Sequence, residues 1–289
     1  MMQRRLAPIV KVLGIVITVF GISMLLPLVV SLFIQDNAQT SYDESVAITV
    51  GTGLLLWLLT LRDRSELKYR DGFLLVVLIW TILPLFAALP LLIYLPGLSF
   101  TDAYFETVSG LTTTGATTLS GLDALAPSIN LWRTQMHLIG GMGVIVLVTA
   151  ILPLLGVGGR QMFKAESPTP MKDEKLTPRM AETAKGLWAV YLLITLACFG
   201  AYWLAGMTWI DALIHAFSVM GLGGFSSHDA SLGYFHSVTL EVITMVFALI
   251  AGINFSTHFM VLRQLSLRPY RFDPEVRWFL IVVLGSCLA

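Results

Sequence analysis

Long runs of apolar residues alternate with short polar stretches along this 289-residue chain. A helix that crosses a bilayer needs roughly 20 mostly apolar residues. The pattern therefore predicts six transmembrane spans, at 6–34, 45–61, 73–95, 131–157, 186–207 and 237–262. A seventh run begins at Trp278 and reaches Ala289 before it is long enough to span, so we expect the chain to be part of a longer protein. The first run is too long for a cleaved signal sequence, and we expect it to remain as a helix.

The composition supports an all-α polytopic membrane protein. Hydrophobic residues make up 56% of the chain and charged residues only 12%, whereas a soluble domain carries about 25% charged residues. The two cysteines, Cys198 and Cys287, both lie in apolar stretches. We interpret them as small buried hydrophobic residues that form neither a disulfide nor a metal site.

The positive charges cluster in every second connecting segment. Only Arg133 lies on the opposite side of the predicted topology; the other basic residues are Arg4, Arg5, Lys11, Arg62, Arg64, Lys68, Arg70, Arg160, Lys164, Lys172, Lys175, Arg179, Lys185, Arg263, Arg268, Arg271 and Arg277. Cytoplasmic loops are enriched in Lys and Arg, so we expect a cytoplasmic N-terminus.

The outer segments carry nine acids, an excess that would attract cations, although any one acid contributes little to topology. They are Asp36, Asp43, Glu44, Asp102, Glu106, Asp123, Asp211, Asp229 and Glu241.

Two outer segments form an internal repeat. Residues 97–118 (GLSFTDAYFETVSGLTTTGATT) align without a gap with 206–227 (GMTWIDALIHAFSVMGLGGFSS), at an offset of 109. The five identities are Gly97/Gly206, Asp102/Asp211, Ala103/Ala212, Ser109/Ser218 and Gly115/Gly224. Both contain a Ser/Thr-x-x-Asp sequence typical of a helix N-cap. Each cap is followed by about ten helical residues, which cover about 15 Å, half of a bilayer.

A stretch of small residues follows each half-helix, at 112–115 (TTTG) and 221–224 (GLGG). Irregular backbone at membrane depth is tolerated where it is buried in protein or lines a watery cavity. We therefore predict that both stretches re-enter the membrane, so that their carbonyl oxygens replace the water around a cation. The negative ends of the half-helices would favour that cation. The alternative is a pair of ordinary outer loops, each with a surface helix.

With these motifs in view, the chain resembles the Trk/Ktr/HKT superfamily of K⁺ transporters, and within it the TrkH-type membrane subunits of bacteria. The specific marks are DAYFETVSGLTTTGATT at 102–118, GGMGVIVL at 140–147, GGFSSHDASLGYF at 223–235 and the basic stretch 168–185. The resemblance implies four pore repeats around one pathway, each with a filter strand. It also implies that K⁺ is the transported ion and is coordinated by the backbone carbonyls of Thr113, Thr114, Gly115, Leu222, Gly223 and Gly224.

The resemblance also implies a domain organisation. The expected parts are an N-terminal hairpin at 1–71, a first pore repeat at 72–160 (pore helix and filter 101–118), a cytoplasmic loop at 161–185, a second pore repeat at 186–262 (pore helix and filter 210–227), and a loop with a truncated span at 263–289. Glycine at 115 and 224 fits K⁺ rather than the Na⁺-type variants, which carry serine. Gly221 departs from the small or polar residue expected there, and we expect it to loosen this part of the filter.

The function that the resemblance implies is K⁺ uptake across the bacterial inner membrane, by a multi-pass protein embedded in the lipid bilayer. The implied partners are a cytosolic TrkA-type nucleotide-binding regulatory subunit and a second copy in a homodimer. Neither nucleic acid nor an organic cofactor is expected. Coupling to H⁺ or Na⁺, as in symport, is left open. Because two filter strands cannot close a ring, we expect the fragment alone not to transport.

Other functions fit the sequence less well. An intramembrane serine protease needs a serine in a G-x-S-x-G-like setting, and none is present. A symporter for another solute needs isolated charges within the spans, which are almost free of them. The chain is therefore not expected to be an enzyme. The five histidines follow no metal-ligand spacing, and the GLGG stretch lacks the Lys-Ser/Thr of a phosphate-binding loop. The histidines are His137, His215, His228, His236 and His258.

Some polar and small residues in the spans allow two interpretations. The glycines at 140, 141 and 143 permit close helix packing, which we favour, or a bend. Asn254 and His258 would share one face of the sixth span, either lining a vestibule or bonding between helices. Arg133 would pair with Asp123 or extend to the lipid headgroups. For His215, inside the second half-helix, we expect a structural hydrogen bond.

Overall fold

The computed structural model describes residues 3–63, 65, 69–143 and 178–288. These residues form thirteen α-helices and no β-strand, which confirms the predicted all-α fold. The helices are α1 (Gln3–Ser23), α2 (Leu25–Ile34), α3 (Gln39–Thr60), α4 (Tyr69–Ala87), α5 (Leu89–Tyr94), α6 (Phe100–Leu111), α7 (Pro127–Gly141), α8 (Pro178–Leu204), α9 (Trp209–Met220), α10 (Val238–Gly252), α11 (Phe255–Gln264), α12 (Arg268–Phe272) and α13 (Pro274–Leu288). The second part (144–157) of the predicted span at 131–157, most of the predicted loop at 161–185, and Arg64 and Lys68 lie outside the described residues.

Four stretches of the described chain are long and apolar enough to cross a membrane. They are Leu6–Ile34, Gln39–Thr60, Asp71–Tyr94 and Ala184–Leu204, and they match the first, second, third and fifth predicted spans. The first is interrupted at Met24, between α1 and α2, and the third at Ala88, between α4 and α5. The chain therefore crosses as several partly broken apolar helices.

The prediction of one continuous sixth span at 237–262 is wrong. The helix ends at Gly252, and α11 continues at an angle of 90° to α10. Asn254 caps the new helix, since its side-chain oxygen accepts a hydrogen bond from the Ser256 amide at 3.0 Å. The hydrogen bonding between helices that was one alternative for Asn254 and His258 is confirmed: Asn254 Nδ2 donates to the Glu275 carboxylate of α13 at 3.2 Å, and His258 Nδ1 lies 2.6 Å from the Tyr270 hydroxyl of α12. His258 also spans the break, with its Nε2 2.9 Å from the Ile250 carbonyl oxygen.

Helix α7 lies in the interior of the protein. Every residue from Ser128 to Ile139 is buried, and the helix packs against both α6 and α9. Its side chains enter two hydrophobic clusters, with Trp132 and Met136 in one and Leu131 and Leu138 in the other. In its described part this predicted span therefore contacts protein on all sides rather than lipid.

Polar side chains of α7 bond to the carbonyls that the helix breaks leave free. The Gln135 Nε2 donates to the Ser23 carbonyl at 2.8 Å, next to the break at Met24. The Trp132 indole N–H donates to the Ala87 carbonyl at 2.9 Å, next to the break at Ala88. An unsatisfied backbone group in an apolar surrounding costs several kcal/mol (about 2–7), so these bonds stabilise the two interruptions.

Both cysteines are free, but they differ in burial. Cys198 is buried among the aromatic residues of the second cluster, as predicted. Cys287 is exposed on α13. The prediction that it is buried was wrong, because an apolar stretch does not show whether another element covers it.

Candidate ion-coordinating site

The two repeat segments form a pair of short helices with matching caps. Helices α6 and α9 each contain 12 residues, about 18 Å at 1.5 Å per residue. The Ser99 hydroxyl accepts from the Asp102 amide at 3.1 Å, and the Thr208 hydroxyl accepts from the Asp211 amide at 3.2 Å. Both predicted N-caps are confirmed.

The backbone that follows each helix has the same unusual conformation. Thr113 and Leu222 have φ values of 55° and 53°, and Gly115 and Gly224 have 74° and 92°. These pairs are 109 residues apart, so the sequence repeat is also a repeat of backbone geometry. A left-handed conformation at a residue other than glycine costs of order 1–3 kcal/mol and is often found at functional sites.

In these segments, backbone amides donate hydrogen bonds to the half-helices, whereas the carbonyl oxygens of the predicted ligands accept none from the described residues. The amide of Thr114 donates to the Ser109 carbonyl at 2.9 Å, and that of Gly223 donates to the Ser218 carbonyl at 3.0 Å. Within the described residues, no hydrogen bond is accepted by the carbonyl oxygens of the residues predicted as ligands, which are Thr113, Thr114, Gly115, Leu222, Gly223 and Gly224. Backbone carbonyls need a partner, so these oxygens remain available to water or to a cation.

The two segments lie side by side. A Cβ atom built on Gly115 would lie 1.7 Å from the carbonyl oxygen of Gly223, which is an impossible overlap. At Gly224 the same construction meets no described atom within 4 Å. The structure therefore brings together the sequence-predicted residues of the two repeats, with main chain against main chain at Gly115.

The glycines of the second segment are explained by a close neighbour. A Cβ at Gly221 would lie 2.5 Å from the carbonyl oxygen of His137, and one at Gly223 would lie 2.1 Å from Nδ1 of that histidine. The expectation that Gly221 loosens the segment is wrong, because the missing side chain lets α7 pack directly against it.

Close packing also explains the glycines at the end of α7. A Cβ at Gly140 would lie 1.9 Å from the Leu111 carbonyl oxygen, and one at Gly141 would lie 2.8 Å from the Gly221 Cα. This confirms the packing interpretation for these two positions. The end of α7 thus packs behind both stretches that are predicted as filter strands, the filter segments 112–115 and 221–224.

Each half-helix is also bonded to the chain two residues beyond its filter glycine. In the first repeat the Thr117 hydroxyl donates to the Glu106 carboxylate at 2.9 Å. In the second, the His215 Nε2 is 3.0 Å from the Ser226 hydroxyl. Position 106 corresponds to 215, and position 117 corresponds to 226. The same hydrogen bond between half-helix and following chain is therefore formed in both repeats, by different side chains. The expected structural bond of His215 is confirmed.

A buried ion pair lies between the two repeats. The Arg133 guanidinium is 2.7 Å from the Glu106 carboxylate, and both side chains are 0% exposed. The predictions that Arg133 pairs with Asp123 or extends to the headgroups were wrong, because α7 is enclosed by protein. Glu106 is a partner that the sequence alone did not predict. The sequence feature that could have indicated this pair is Glu106 itself, because an acid within an apolar segment needs a buried cation nearby.

The segments beyond the filters are joined to each other on the side that is predicted to face outward. His228 Nδ1 contacts the Asp123 carboxylate, and the Asp229 carboxylate accepts from the amides of Gly121 and Leu122 at 3.0 and 3.2 Å. The His228 hydrogen bond, together with the Asp229 amide, lowers the pKa of Asp123 below its usual value. Like Glu106, the outer acids Asp123, Asp229 and Asp211 thus make structural bonds, since Asp211 also accepts from the Ser227 hydroxyl.

The known proteins that resemble this chain belong to one family of cation transport proteins. The family model TrkH, described as "Cation transport protein", matches residues 39–288. The chain is 48% identical over 277 residues to the Trk system potassium uptake protein TrkH of Salmonella typhimurium, covering 96% of this chain and 57% of that protein. It is 40% identical over 273 residues to the Escherichia coli protein TrkG, covering 94% of this chain and 56% of that one.

A solved structure is similar over the same extent. The crystal structure of the potassium transporter TrkH from Vibrio parahaemolyticus matches with a TM-score of 0.81 at 43% identity. The match covers 98% of this chain and 57% of that one. The chain therefore spans somewhat more than half the length of the relatives it matches, and its helical fold is similar to the matched part of that structure.

Proposed function

Because this chain belongs to the TrkH family of cation transport proteins, we propose that it forms part of a pathway for K⁺ uptake. Its relatives are named as potassium uptake proteins. The observation that carries the proposal is the pair of adjacent segments with unpaired carbonyl oxygens. In the proposal, K⁺ exchanges its hydration water for the main-chain oxygens of Thr113, Thr114 and Gly115, and of Leu222, Gly223 and Gly224.

The surrounding helices favour a cation at this position. Both half-helices end at the filter segments, so their partial negative charges lie close to the carbonyl oxygens. An inside-negative membrane potential adds about 2.3 kcal/mol per charge for each 100 mV. The membrane potential can therefore drive K⁺ accumulation in the cell without a coupled ion. Symport with H⁺ or Na⁺ would add to this driving force. The chemistry is translocation, with no bond made or broken, so no enzymatic activity is proposed.

The proposed topology has a cytoplasmic N-terminus in the bacterial inner membrane. The predicted division into a hairpin (1–71), two pore repeats (72–160 and 186–262) and two loop regions (161–185 and 263–289) is part of this proposal. We further propose that the exposed arginines at the end of α11 and in α12 contact a cytosolic TrkA-type subunit, and that the complete protein forms a homodimer. The support for this contact is the position of Arg263, Arg268 and Arg271 on the predicted cytoplasmic side.

Growth of a bacterial strain that lacks K⁺ uptake tests the function. Two forms are compared: the chain alone, and an extended chain in which it is joined to the part of the V. parahaemolyticus relative that it does not match. We expect the extended chain to restore growth at low K⁺ and the chain alone not to restore it. No growth and no K⁺ uptake with a membrane-inserted extended chain would contradict the proposal.

Substitution of a filter glycine tests the site itself. In the extended chain, Gly115→Ser places a side chain against the Gly223 carbonyl, so we expect K⁺ uptake to fall relative to Na⁺ uptake. Gly97→Ser, at a glycine with open space around it, is the matched control. Equal ratios of K⁺ uptake to Na⁺ uptake in the two variants would contradict the assignment of Gly115 as an ion-coordinating residue.

A further inference from the structure

The side chain of Arg133 reaches both filter units at once. Its Nη2 donates to the Thr117 hydroxyl at 3.1 Å, and its Nη1 donates to the Ser226 carbonyl at 3.2 Å. Thr117 lies two residues after Gly115, and Ser226 lies two residues after Gly224. One buried guanidinium therefore holds the equivalent point of each segment.

The guanidinium is itself held in place from other sides. Its Nε donates to Glu106 at 2.8 Å, and its Nη1 donates to the Asn130 side-chain oxygen at 3.0 Å. The ring of Phe225, next to Gly224 in the chain, lies 4.4 Å from its Cζ. All three of its nitrogens thus have hydrogen-bond acceptors, and its orientation is determined by the packing.

Asn130, one turn earlier on the same helix, adds a second bridge. Its amide nitrogen donates to the Leu122 carbonyl at 3.0 Å and to the Ser227 carbonyl at 3.4 Å. Residues three apart lie on one face of a helix. Arg133 and Asn130 therefore lie on one face of α7, and each forms hydrogen bonds to both of the segments that follow the filters.

From this arrangement we propose that Arg133 is a positioning residue that determines ion selectivity by setting the spacing of the two filter segments. The proposal rests on the proposed function. The discrimination of K⁺ from a smaller cation depends on the size of the carbonyl cage and on the number of its oxygens. A fixed distance between the two segments holds both properties constant.

The alternative role of Arg133 is charge neutralisation of Glu106 alone. Lysine separates the two roles, since it supplies the same charge but only a single point donor in place of the planar fork. In Arg133→Lys the ammonium can pair with Glu106, but it cannot bond to Thr117 and Ser226 in the same geometry. Neutralisation alone predicts unchanged selectivity in this variant.

The experiment compares variants of the extended chain. The uptake rates of K⁺ and Na⁺ are measured in the uptake-deficient strain, and melting temperatures are measured on the purified proteins. For Arg133→Lys we expect the K⁺ to Na⁺ ratio to fall by about tenfold, the size expected from losing hydrogen bonds to a charged group. Arg62→Lys, on the exposed cytoplasmic side, is the control and should match the wild type.

A second variant keeps the test decisive if Arg133→Lys does not fold. Thr117→Val preserves the pair of Arg133 with Glu106 and removes one guanidinium contact together with the Thr117 bond to Glu106, so we expect a smaller fall in the same ratio. A ratio within about twofold of the wild type in a folded variant would overturn the proposal. Loss of folding in both variants would assign Arg133 a purely structural role and would also overturn it.

Failure of the proposed function would be recognised separately. It appears as no K⁺ uptake by the wild-type extended chain, before any variant is compared. In that case the positioning role falls with the function. Uptake by the wild type with unchanged selectivity in both folded variants refutes the positioning role alone.

Discussion

The two filter segments have one backbone conformation and two different means of support. In the first, the hydroxyls of Thr112 and Thr114 bond to each other at 2.8 Å, and the chain beyond is held by the charged Glu106. In the second, glycines replace both threonines, and the chain beyond is held by the neutral pair of His215 and Ser226. The same geometry is therefore reached through side-chain hydrogen bonds and charge in one case and through close backbone packing in the other.

The matched serines of the half-helices show the same difference. The Ser218 hydroxyl accepts a hydrogen bond from the Gly224 amide at 3.1 Å. The equivalent Ser109 hydroxyl is buried without a hydrogen-bond partner among the described residues. The second segment thus has a side-chain bond to its own half-helix that the first lacks, whereas the first is held through the ion pair of Glu106 with Arg133 on α7. We infer that substitutions in the first unit have the larger effects.

Arg133→Leu should cause the largest loss. It leaves the Glu106 carboxylate buried without a cation, and breaking such a pair costs about 3–5 kcal/mol. Thermal unfolding of the purified extended chain in detergent measures this loss. The double variant Glu106→Leu/Arg133→Leu should recover part of it, because no charge is then left unpaired. A double variant less stable than Arg133→Leu would contradict this account.

Gly115→Ala should be more damaging than Gly224→Ala. Both positions have positive φ values, and a Cβ in the left-handed region costs about 1–2 kcal/mol. At Gly115 the new methyl group also overlaps the Gly223 carbonyl oxygen, and overpacking adds about 1–3 kcal/mol. Melting temperature and K⁺ uptake of the two variants provide the measurement. Equal losses would show that the two segments do not lie in contact.

The smallest effect concerns acid stability at the outer junction of the two repeats. The pKa of Asp123 is lowered in the folded protein by its bond to His228 and by the Asp229 amide. A lowered carboxyl pKa contributes stability above the unfolded value of about 3.9, and this contribution is lost as the pH falls through the folded pKa.

Asp123→Asn should therefore lower the melting temperature slightly at pH 6, with the difference from wild type shrinking as the pH falls below the unfolded value of about 3.9. The control is Asp43→Asn, at an exposed acid of the predicted outer side for which no bond to either repeat is found in the described chain. A pH-independent difference between Asp123→Asn and the wild type would show that the carboxylate charge does not support the junction.

Much of the local structure could be predicted from sequence. The apolar runs predicted four of the spans, the Ser/Thr-x-x-Asp sequences predicted both caps, and the repeat at an offset of 109 predicted two equivalent segments. These features depend on residues close together in the chain, because helix periodicity, capping and glycine conformations act within a few positions. The family followed from the same motifs.

The interactions between distant residues were decided by the tertiary structure. The sequence contains Glu106 and Arg133, 27 positions apart, but nothing in their spacing pairs them. It also shows an apolar helix at α7 without showing that protein surrounds it, and glycines at 221 and 223 without showing that His137 lies against them. Such contacts depend on how helices far apart in sequence pack together, and in a close-packed interior that packing determines which charge meets which partner.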